Sequence, residues 1–96
     1  MASVTDSGEA LRLAQSEFGG ASLETGRALA LLGRLRQTQG RYDVAEQLYR
    51  RALHILGAGG AQQTELSWLL NDLAQVLERR EQWQQAKELY ARALQI

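Results

Sequence analysis

Cysteine and proline are both absent from this 96-residue chain. Without cysteine there are no disulfides, no thiolate metal sites and no Cys nucleophile. The single histidine, His54, cannot build a His-rich metal site. It has Arg50 and Arg51 nearby, with no serine or carboxylate at triad-like spacing, and it reads as a solvent-facing helix residue. No charge of one sign prevails: 11 Lys and Arg face 11 Asp and Glu. The basic excess that drives nonspecific binding to nucleic acid or anionic membranes is therefore missing. No apolar run approaches the roughly 18–20 residues of a membrane span, and Met1–Gly8 lacks the charged start and apolar core of a secretory signal. Val, Ile and Phe are scarce. Leu, Ala, Gln, Glu and Arg dominate, all good helix formers, so the expected class is all-α.

What the chain does contain is an internal repeat. Gln39–Ile55 aligns with Arg80–Ile96 at an offset of 41 residues, and seven of the 17 pairs are identical. These are Ala45/Ala86, Leu48/Leu89, Tyr49/Tyr90, Arg51/Arg92, Ala52/Ala93, Leu53/Leu94 and Ile55/Ile96, with Tyr42/Trp83 as an aromatic match. The same offset carries upstream, placing Leu32-Gly33 on Leu73-Ala74 and Leu35 on Val76. Each unit reads as two helices. Ala45, Leu48, Tyr49, Ala52, Leu53 and Leu56 form one apolar stripe of helical period. Leu29, Leu32, Gly33 and Leu35 are expected to turn the first helix toward its neighbours. Small residues (Gly33, Ala45, Ala52 and their counterparts Ala74, Ala86, Ala93) allow close helix approach. Gly40 suits the residue just past a helix end, and Asp43 suits a helix start. The spacing predicts helices over 7–18, 22–39, 42–56, 61–80 and 83–95.

These residues resemble the tetratricopeptide repeat family. The family pattern is a large apolar residue, then Leu-Gly/Ala, an aromatic after the turn, and a closing Ala, Tyr/Phe and Ala. The first unit supplies Leu29, Leu32-Gly33, Tyr42, Ala45, Tyr49 and Ala52. The second supplies Leu70, Leu73-Ala74, Trp83, Ala86, Tyr90 and Ala93. Two departures stand out. The family's tyrosine late in the first helix is Arg36 and Leu77 here, and Gly57 replaces its closing proline. The 41-residue spacing exceeds the usual repeat of about 34. It is similar to the longer kinesin-light-chain type, as are Leu70–Ala74 and Gln39–Asp43.

The resemblance implies a right-handed α-solenoid of antiparallel helix pairs, about five helices in one domain over 1–96. Residues 7–20 would be the tail of a preceding repeat, with Ala10, Leu11, Ala14 and Phe18 on one face, 26–60 a first repeat and 67–96 a second. The chain reads as a segment of a longer array. Two units and one helix make a thin core, so marginal stability or self-association through apolar end faces is expected. Four aromatics, Tyr42, Tyr49, Trp83 and Tyr90, occupy repeat positions and are assigned to the core. Trp68 has no aromatic counterpart and is left to pack under the preceding loop or face a ligand.

For function, the resemblance implies a non-enzymatic adaptor or scaffold, without cofactor or metal, whose first helices line a groove for a peptide segment of a protein partner. The groove-facing positions would be Arg27, Ala30, Arg34 and Gln37, then Trp68, Asn71, Gln75 and Glu78. Nucleic-acid and membrane partners are not expected, and the family's commonest setting is cytoplasmic. The alternative is an assembly segment that forms a homo-oligomer. Residues 26–60 carry six bases and two acids, residues 61–96 four bases and five acids. The basic centre suggests acidic partner segments, with Asp72 and Glu78 opposing them near the second unit. The family's chaperone-binding subclass clamps a C-terminal carboxylate with Lys, Asn and Arg; the corresponding positions here include Ala30, Arg34 and Asp72, so a chaperone tail is not expected. The acidic pairs Glu78/Glu81 and Asp43/Glu46 read as solvated faces, and Gly57–Gly60 as an inter-repeat loop.

Overall fold

A computed structural model describes residues 22–95. Among them are four helices, α1 (Leu23–Thr38), α2 (Tyr42–Ala58), α3 (Gln63–Arg79) and α4 (Trp83–Gln95). The expected helix over 7–18 lies outside the described residues. Helices α1 and α2 pack as one antiparallel pair and α3 and α4 as a second; α2 lies against α3, and α1 touches α3 more lightly. This is an all-α tetratricopeptide-type stack, with first helices α1 and α3 side by side on one surface and second helices behind them.

Local chemistry sets the helix ends. The Ser22 hydroxyl accepts from the Thr25 amide at 3.3 Å and caps the start of α1. Helices α1, α2 and α3 each close with the same reverse turn. After α1, the Gly40 amide donates to the Gln37 carbonyl and the Arg41 amide to the Arg36 carbonyl, both at 2.9 Å. After α3, the Glu81 amide donates to Glu78 at 3.0 Å and the Gln82 amide to Leu77 at 2.8 Å. The motif needs a left-handed residue at its corner. Gly40 supplies it without penalty at φ 78°, whereas its counterpart one repeat later is Glu81, held at φ 61°.

Packing follows the apolar stripes. Leu29, Ala45, Tyr49, Ala52, Leu70, Leu73, Ala74, Val76 and Leu77 are all essentially inaccessible. Gly33 explains how α1 and α2 approach: a Cβ built there would lie 2.8 Å from the Tyr49 ring. The ring therefore lies on the backbone of α1, and the Tyr49 hydroxyl donates to Gln37 Oε1 at 2.7 Å. In the second pair a buried Ala74 stands at the position of Gly33, and the Tyr90 hydroxyl donates to Glu78 Oε1 at 2.7 Å. Burial, with Glu78 adding to it at Tyr90, pushes both phenols up to about 12.

Two expectations are corrected. Leu35 does not face a neighbour; it is 48% exposed, because nothing among the described residues covers that side of α1. Trp83 is not a core aromatic; it is 61% exposed, at the first position of α4, next to the turn rather than within the helix. The buried Arg36 fills its unusual position with its guanidinium turned to the helix end, donating to Gln39 Oε1 at 2.5 Å.

Glu81→Gly should stabilise the chain by about 0.5–1 kcal/mol, by removing a side chain from a left-handed corner. Chemical denaturation gives the value, and the mirror change Gly40→Ala should lose a similar amount. A raised tyrosine pKa means the neutral form is preferred on folding. Stability is therefore complete below pH 10 and should fall between pH 10 and about 12, in parallel with the tyrosinate absorbance.

Candidate functional site

The surface shared by α1 and α3 holds a hollow of about 390 Å³. Its apolar lining comes from Ala30 and Leu31 of α1, Leu56 at the end of α2, and Trp68 and Leu69 of α3, with Gln62 and Thr64 adding polar groups. Leu31 and Trp68 are each 66% exposed, an unusual state for large apolar side chains that line the same concavity. The volume lies in the range of small binding clefts, near that of one or two large side chains.

Two ion pairs bracket the hollow. Arg27 reaches Glu65 in a fork, Nε to Oε2 at 2.9 Å and Nη2 to Oε1 at 3.2 Å. Two turns further on, Arg34 Nη2 lies 3.4 Å from Asp72 Oδ2. Both pairs join residues 38 apart, so the arginines of α1 and the carboxylates of α3 meet in register. The hydrogen bond from Arg27 holds the Glu65 carboxyl below its usual range. A second hollow continues along the same surface, lined by Arg34, Gln37, Thr38, Tyr42, Asp72, Gln75 and Arg79.

The eight residues expected in the groove are distributed as follows. Arg27, Ala30, Arg34 and Trp68 come together around the first hollow. Gln37 and Gln75 line the second. Asn71 is half-buried and lines neither. Glu78 is exposed and engaged by the Tyr90 hydroxyl, just as Gln37 is engaged by Tyr49. Leu31, Leu69 and Glu65 join the site although the repeat pattern alone does not single them out. Glu65 has a legible signal, since Arg27 and Arg34 are seven apart and so are Glu65 and Asp72. Two matching two-turn spacings of opposite sign mark facing helices. The arginines are also less available than the basic centre implied, since carboxylates of the same chain already neutralise both.

Nothing in this arrangement resembles a catalytic constellation. Among the described residues no group of three or more His, Cys, Asp or Glu could hold a metal, and no helix is long and apolar enough to cross a membrane.

The Arg27–Glu65 pair should show a favourable but small coupling in a double-mutant cycle with Arg27→Ala and Glu65→Ala, small because the pair is exposed and measurable because it is forked. The depressed Glu65 pKa means this contribution is present at neutral pH and is lost as pH falls through the folded-state value.

No curated protein and no solved structure matches the chain. Two family models, both described as tetratricopeptide repeat, match residues 2–58 and 66–96. With the paired helices and the tyrosine hydroxyl bond that recurs in both pairs, these matches show that the chain belongs to the tetratricopeptide repeat family.

Proposed function

We propose that this chain, as tetratricopeptide repeats generally do, mediates protein–protein interaction, as an adaptor module that receives a peptide segment of a protein partner on the α1–α3 surface. Repeats of this family are typically non-enzymatic scaffolds. The observation that carries this reading is the exposure of Trp68 and Leu31 inside one hollow. Leaving two large apolar side chains in water is unfavourable by about 25 cal/mol per Å², and an inserted apolar side chain of the partner relieves it. Arg27, Ala30 and Arg34 complete that hollow, and Gln37 and Gln75 extend it with donors and acceptors suited to a peptide backbone. Asn71 and Glu78 lie beside this path and would contact only a longer segment. The 41-residue spacing supports the kinesin-light-chain-like form of the repeat.

Negative charge on the partner counts for less than apolar surface. Arg27 and Arg34 are matched by Glu65 and Asp72, so an acidic peptide would have to displace a carboxylate already in place. An apolar anchor flanked by backbone contacts fits the surface better.

The test uses the Trp83→Phe chain, in which Trp68 is the only indole. Titration with members of a random peptide library should shift the Trp68 emission to shorter wavelength. Trp68→Ala should weaken the best binder at least about tenfold, the loss of roughly 1.4 kcal/mol expected for one buried anchor. Binding that leaves the emission unchanged and survives Trp68→Ala would remove this surface as the site.

A further inference from the structure

The two hollows of the α1–α3 surface share only two lining residues, Arg34 and Asp72. These are the residues whose side chains meet across the groove, Nη2 to Oδ2 at 3.4 Å. Their contact stands as a partition. On one side is the hollow with the apolar lining. On the other is a hollow of about 380 Å³ lined by charged and hydrogen-bonding side chains. The ion pairs at the two ends of the first hollow are not alike. Arg27 holds Glu65 through two hydrogen bonds in a fork, at 2.9 and 3.2 Å. Arg34 reaches Asp72 through one long contact, and its side chain is 64% exposed. A forked, charge-assisted contact resists displacement, whereas a single exposed one opens at little cost. The Arg27 end of the hollow is therefore the firm end, and the Arg34 end is the one that gives way.

Helix geometry sets the scale. Arg27 and Arg34 are seven residues apart, about 10.5 Å along α1. An extended peptide advances about 3.3 Å per residue, so about three of its residues fit between the two ion pairs. Asp72 and Arg79 bound a second stretch of the same length along α3. In that stretch Gln75 and Arg79 make no side-chain hydrogen bond among the described residues, so their donors are available to a ligand. We infer that the Arg34–Asp72 contact sets the length of segment this surface accepts. Closed, it confines a ligand to about three residues around an apolar anchor. A longer extended segment has to part the pair before it reaches Gln75 and Arg79. This selection rests on the peptide reading proposed above and adds to it a residue pair that discriminates by length. Short ligands leave the pair closed and long ones must open it, so the contact opposes long segments. An arginine that simply touched the ligand would favour them.

The probes are the best-binding library peptide, whole, and the same peptide cut to its anchor and the two neighbouring residues. Each is titrated against the Trp83→Phe chain and followed by Trp68 emission. Asp72→Asn and Arg34→Gln, made separately and checked for unchanged helical circular dichroism, remove the ion pair. Each should raise the ratio of whole-peptide to short-peptide affinity by about two- to fivefold, the range that an exposed ion pair spans. The exchanged chain, Arg34→Asp with Asp72→Arg, should bring the ratio back to that of the parent. A ratio that stays flat in both single variants overturns the inference, because the whole peptide then never crosses the pair. A fall in the ratio in either variant also overturns it, since that residue would be a ligand contact. So does a short peptide that leaves Trp68 unshifted while the whole peptide shifts it, because the closed hollow would then not hold a short segment. A flat ratio with both probes shifting Trp68 removes the partition alone and leaves the peptide reading standing. Trp68 emission that neither probe shifts removes that reading, and the partition with it.

Discussion

The first repeat rests on a tyrosine lying on a helix that has no side chain beneath it. Tyr49 touches α1 at Gly33, and its hydroxyl is tied to Gln37 one turn further along the same helix. A ring this close to a backbone holds two helices at a short separation and sets their crossing. The hydroxyl then selects a register between them, since only one alignment satisfies it. In the second pair the Tyr90 hydroxyl ties the two helices in the same way, with Glu78 as acceptor. Helical propensity would produce four separate helices. This contact makes them two pairs, and the concave surface exists because the pairs are rigid enough to stand side by side.

Between the pairs a different balance holds. The apolar core is continuous through Leu56, Leu69, Leu70 and Leu73, but the edges of the junction are polar. Arg27–Glu65 and Arg34–Asp72 close one edge; Glu46 gathers Arg50 and Arg80 on the other. Single exposed pairs contribute little to stability. Their weight lies in register, since a shifted stack would bring arginines past their carboxylates. The same ion pairs shape the groove, because charges satisfied within the chain leave the apolar hollow between them as its most reactive feature toward a partner.

The sites where local rules are broken are informative. Glu81 takes a left-handed corner that Gly40 takes freely, because the closing turn is demanded by the next helix rather than by the residue itself. Arg36 is buried where its counterpart is Leu77, its charge turned to the end of α1. Both show the repeat geometry overriding the preference of a single residue.

The family, the four described helices and the core were legible in the sequence, because helical periodicity and a 41-residue self-match act over short stretches and depend on residue type alone. The capping glycine, the small position under the tyrosine and most of the stripe that buries Leu29, Ala45, Tyr49 and Ala52 belong to that class. Leu35 and Trp83 did not, since a position's exposure depends on which element lies across from it, and periodicity does not identify the neighbour. The groove was only half legible. Its helix face could be counted off in turns, but the neutralisation of Arg27 and Arg34 and the gathering of Leu31 with Trp68 arise from helices separated by a long stretch of chain, and the turning of Glu78 to Tyr90 from the packing of α3 on α4. Distances between such helices are set by packing, and packing is decided in three dimensions.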